Sequence, residues 1–64
     1  MLFALVAERL SAFYEHGQWL TDAQAATLAA GWLARSGRVM PLEQRRQLAA
    51  LSDGMARQMA STLS

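Results

Sequence analysis

The chain has 64 residues, no cysteine, six arginines, no lysine and five acidic residues, giving a net charge of +1 with 53% hydrophobic residues. That length allows one small domain, residues 1–64, hiding about 60% of the surface its unfolded chain exposes; the missing cysteines exclude a disulfide framework and a cysteine metal site. So nearly neutral a balance also excludes the strongly basic character of a nonspecific nucleic-acid binder.

Alanine is the commonest residue, and large apolar residues make up about a third of the chain. The core is therefore thin. Stability must come from helix packing or from association, and oligomerisation is the remaining device for a domain of this size. Arginine without lysine, together with abundant alanine, points to a GC-rich genome, most simply that of a bacterium or a phage.

The first helix is expected over residues 2–16. Phe3, Val6, Leu10 and Phe13 recur at the spacing of a seam packed on another helix, widened by Leu2, Leu5 and Tyr14. Gly17 fits the left-handed position past the helix end, and His16 in the last turn complements the dipole when protonated. The opening MLFALVAERL lacks the positive n-region of a targeting segment, and its apolar run stops at Glu8 and Arg9. Trp19 and Leu20 are expected to plug the first corner.

The second helix, 21–36, is the clearest. Thr21 and Gln24 have the spacing of a capping box, and Gly37 supplies the residue that ends the helix. Ala25, Leu28, Ala29, Trp32, Leu33 and Ser36 share one face. The opposite side is not polar either, since Ala23, Ala26, Ala30 and Ala34 are small, and a helix apolar nearly all round is normally buried on several sides. The uncharged run 23–34 is shorter than the roughly 20 residues that cross a bilayer. A cytoplasmic protein with no membrane partner is expected.

The third helix should begin near Pro41 and run to 63. Leu48, Leu51, Ser52, Met55, Met59 and Thr62 keep one phase, with Glu43 and Arg46 paired outside. Asp53-Gly54 is a turn-like dipeptide, and Ser52 or Asp53 could cap a separate last helix. The unbroken phase and the favourable order of Asp53 and Arg57 support one continuous helix.

Catalysis needs a nucleophile, a base or a metal in a sheltered cleft, and here the inventory is one histidine, no cysteine, no lysine and scattered acids. His16 and Glu15 are sequence neighbours and do not face each other on a helix. No ligand spacing for a metal and no glycine-rich phosphate loop is present. The protein is not expected to be an enzyme or to hold a cofactor. Arg35, Arg38, Arg45 and Arg46 crowd the second corner, where three helices suggest a helix-turn-helix. Against that, the five residues Ser36 to Met40 make the turn where the motif prefers three or four, and Pro41, Leu42 and Glu43 occupy the base-reading positions. Trp19 and Trp32 read as core before they read as binding residues. Met40, Met55 and Met59 suit either an adaptable partner-binding face or gaps in the core.

The sequence thus points to an all-α domain of three helices that forms a homodimer and binds another protein, as an inhibitor, an anti-activator or an adaptor. The expected interface residues are Ala26, Ala30, Ala34, Trp32, Met55 and Met59. The alanine strip would admit a close helix, either a neighbour in the same chain or the same strip of a second copy. The alternatives are a DNA-binding regulator using Arg35, Arg38, Arg45 and Arg46, which are candidate contacts for phosphate or for an acidic partner surface, and a secretion-type chaperone that shields an apolar helix.

Overall fold

A computed structural model describes residues 1–63 and places them in α1 (Leu2–His16), α2 (Asp22–Arg35) and α3 (Leu42–Leu63). The local signals act as their chemistry requires. Gly17 closes α1 at φ 70°, its amide donating to the Phe13 carbonyl at 2.9 Å. Thr21 caps α2: its hydroxyl accepts from the Gln24 amide at 3.1 Å, and the Gln24 side chain accepts from the Thr21 amide at 3.0 Å. Gly37, at φ 73°, follows Ser36 at the other end. Pro41 stands just before α3, where its carbonyl accepts from the Arg45 amide at 3.1 Å and its missing N–H leaves no orphan donor.

Helix α3 runs unbroken through Asp53 and Gly54. Gly54 does not have positive φ, and Asp53, one of the two candidate caps for a separate last helix, instead accepts from Arg57 Nε at 3.0 and 3.1 Å. At about 1.5 Å per residue its 22 residues span roughly 33 Å, which sets the 38 Å long dimension of the molecule.

Contacts fix the directions. Leu5, Ala25 and Ala49 meet at the centre, one from each helix, with Leu28, Trp32 and Leu48 packed against them. One turn further along α1, Arg9 reaches Asp22, Ser52 and Asp53. Residue numbers therefore rise together in α1 and α3 and fall in α2, giving an up-down-up bundle.

Two expected faces are rotated. In α1 the inward residues are Leu5, Val6 and Arg9; Leu10 and Phe13 are half-buried, and Phe3, placed in the expected seam, is 76% exposed. In α3 the inward residues are Ala49, Ser52, Ala56 and Ala60, while Leu48 and Met55 are half-buried and Leu51, Met59 and Thr62 face out. The apolar stripe of large residues thus lies about one residue, or 100°, from the face that packs. The reason is Arg9. It is the largest fully buried side chain in the molecule, and it lies where Ala49 and Ser52 leave room for it.

In α2, Ala25 and Ala29 are buried and Leu28, Trp32 and Leu33 half-buried, as their spacing implied, whereas Ser36 is exposed at the end of the helix. Among the described residues the ion pair expected between Glu43 and Arg46 does not form. No helix of the described residues is long and apolar enough to cross a membrane.

Candidate interaction surface

The centre of the bundle is a polar junction. A guanidinium has five N–H donors, and all five of Arg9 find acceptors. Nε donates to Ser52 Oγ at 2.9 Å; Nη1 donates to the Leu20 carbonyl at 2.8 Å and Asp53 Oδ1 at 3.2 Å; Nη2 donates to Asp22 Oδ1 at 2.8 Å and the Ala49 carbonyl at 3.1 Å. One side chain of α1 therefore ties the first corner, the first turn of α2 and the middle of α3. Ser52 Oγ in turn donates a hydrogen bond to the Ala49 carbonyl at 2.8 Å, so the cluster is saturated. Burying a cation is costly unless it is paired and fully hydrogen-bonded, and this one is both. The carboxylates contribute unequally. The Asp22 side chain is 67% exposed, so water screens its attraction, and the shielded contacts to Ser52 and Ala49 carry more weight.

The junction continues outward as a stack. Asp53 also holds Arg57, whose guanidinium lies 4.9 Å from the centre of the Trp19 ring, and Trp19 stacks on Phe13 at 4.4 Å and 14°. Trp19 thus closes the first corner, as expected, and Trp32 packs against the core cluster. Both tryptophans spend their rings on the fold.

Because the inward positions of α3 are small, its large residues are left outside. Leu51 is 58% exposed and Leu63 71%, Met59 is exposed and Met55 half-buried. An open groove of about 680 Å³ runs along this outer face, lined by Gln47, Ala50, Leu51, Gly54, Met55 and Gln58. No ionisable side chain lines it. A second hollow continues it past Met59 and Leu63 toward the end of the helix. Of the residues singled out from the sequence, Met55 and Met59 are brought together on this face.

The alanine strip is divided. Ala26 turns toward α3 and lines a cleft with Leu42, Arg46 and Ala49, the same-chain option for a close neighbour; Ala30 is half-buried and Ala34 exposed. The arginine corner is not uniform either. Arg35, Arg38 and Arg46 are exposed, while Arg45 is half-buried and its Nε donates to the Met40 carbonyl at 2.9 Å. Leu42 and Glu43 form the first turn of α3. His16 is exposed at the end of α1, and the neighbouring Glu15 accepts from Ser11 at 2.9 Å.

Arg9 was legible in the sequence only as the sole cation among the first 22 residues. The available signal was its position four after Leu5, on the apolar side of an otherwise amphipathic helix, with no acidic residue three or four positions away to pair with it. The chain matches no protein-family model, no curated protein and no solved structure.

Proposed function

We propose that the protein is a small helical protein-protein interaction module, a regulator that binds and masks the surface of a partner through the outer face of α3. One observation carries the reading: α3 packs alanine and serine inward and leaves leucine and methionine in water. Contiguous apolar side chains on a small monomer mark an interaction site, and flexible methionines suit a surface that repacks against its partner. Such a module works by occlusion, as an inhibitor, anti-activator or adaptor in the cytoplasm, and the reading assigns it no catalytic step and no cofactor.

The DNA-binding alternative is less well supported, because Arg45 is held by the Met40 carbonyl and Leu42 and Glu43 lead the helix that would enter the groove. A photocrosslinking residue in place of Met59, compared with the same group at exposed Glu8 on α1, tests the interaction reading in native cells. Protein adducts at position 59 and not at position 8 are expected. Equal labelling at both positions, or none at either, rejects the reading.

A further inference from the structure

We propose that the outer face of α3 is covered by the same face of a second copy of this chain, the two α3 helices running antiparallel about a two-fold axis level with Ser52 and Asp53. The proposal rests on the reading of this face as a protein-binding surface and names what covers it in the pure chain, where no partner competes for it.

The argument begins with Gly54. Glycine is among the poorest helix formers, yet Gly54 sits in the middle of a 22-residue helix. Nothing among the described residues requires it there: its φ is not positive, and a β-carbon added to it would meet none of their atoms within 4 Å. A glycine with no role inside the monomer leaves a hollow on its surface, between Leu51, Met55 and Gln58 of the same groove.

The groove is shaped to fill itself. In an antiparallel pair related by a two-fold axis, each residue lies level with its reflection through the midpoint of the contact, and the two meet where both lie near the centre line of the face. Residues 51 and 54 lie equally far from the midpoint of the groove, as do 50 and 55, and 47 and 58. Any helical stripe has such symmetric spacing. The sizes, however, are particular to this chain. On the centre line Leu51 of one copy falls over Gly54 of the other and Gln47 lies beside Gln58, while on the flanks Met55 lies alongside Met55 of the second copy and Ala50 alongside its Ala50. Large meets small twice in the dimer, once at each Leu51–Gly54 contact, and at each end two amides, each both donor and acceptor, can pair with one another. A parallel arrangement would instead set leucine on leucine and glycine on glycine, leaving a void that loses the packing a protein interior needs. Since no ionisable side chain lines the groove, self-association buries no like charges.

The experiment uses the full chain, which has no native cysteine. Light scattering of the pure protein at roughly 100 μM should give twice the 7.0 kDa chain mass, falling toward that of the single chain on dilution. Leu51→Glu should abolish the dimer while the helical circular dichroism is kept. Register is read with Gln47→Cys and Gln58→Cys. Oxidised together, the two variants should join to each other; oxidised alone, each should stay unlinked, because its own cysteines lie about 16 Å apart along the axis. A dimer that survives Leu51→Glu, or disulfides joining 47 to 47 and 58 to 58, overturns the proposal. So does a pure chain that stays monomeric: if position 59 nevertheless crosslinks to a different protein, that protein is the occupant and the interaction reading stands, whereas no dimer and no adduct rejects both.

Discussion

The two faces of α3 differ in what they can tolerate. The inward face, Ala49, Ser52, Ala56 and Ala60, is built of side chains small enough for α1 to approach and for one arginine to lie across it. The outward face, Leu51, Met55, Met59 and Leu63, carries the bulk normally found inside. Hydrophobicity alone would turn the helix the other way, since burying a leucine rather than an alanine gains more. What opposes this is Arg9, whose five hydrogen bonds need Ser52 and the Ala49 carbonyl at the centre of the bundle. A saturated polar junction therefore decides which face of an apolar helix points inward.

The comparison breaks most severely at that junction. Arg9→Ala should cost about 3–5 kcal/mol, combining a cavity with acceptors stripped of their donor. A domain of this length holds only roughly 3–10 kcal/mol in total. Much of the chain should be unfolded at 25 °C, seen as lost helical ellipticity. Arg9→Met keeps the volume of the stem and should melt between the two. If Arg9→Ala melts within a degree or two of the parent, the junction does not orient α3.

The faces should also respond oppositely to a change of size. Ala56→Leu adds bulk to a fully buried position of the inward face and should destabilise by roughly 1–3 kcal/mol through overpacking. Leu51→Ala removes bulk from the open side, so the dilute monomer should change by no more than about 0.5 kcal/mol. Urea melts at low concentration compare the pair directly. A larger loss from Leu51→Ala than from Ala56→Leu would reverse the assignment of faces.

How far the sequence reveals this molecule depends on which residues speak. Caps and breakers act locally, so Thr21, Gln24, Gly17, Gly37 and Pro41 place the three helices to within a residue. Continuity through Gly54 is also legible, because helical phase and the Asp53–Arg57 pair outweigh one turn-like dipeptide. Facing is not a local property. Alanines add little to an apolar stripe, so the packed seam Ala49–Ala56–Ala60 hides behind the louder Leu51–Met55–Met59. The role of Arg9 depends on acceptors 11 to 44 residues away in the chain, which no periodicity brings together. Met55 and Met59 read as surface candidates through the chemistry of methionine, whereas Leu51, a leucine in phase with a helix, reads as core and is exposed.

The smallest expected effect carries the sharpest contrast. In the dilute monomer, Gly54→Ala should raise stability by about 0.5–1 kcal/mol, because alanine restricts the unfolded chain and the helical backbone at this position accepts a β-carbon. The added methyl group meets nothing within 4 Å inside the chain, so no steric cost offsets the gain. In the paired form the same methyl group occupies the hollow that Leu51 of the second copy needs, and the two α3 axes must move apart. The melting temperature at low concentration should therefore rise while the concentration at which the mass doubles also rises, two shifts that one stability change cannot produce together. A thermal melt and a light-scattering dilution series on one preparation of Gly54→Ala measure both. A higher melting temperature with unchanged association would show that the glycine serves neither the fold nor the contact, and a lower one would show that the helix is strained at this position.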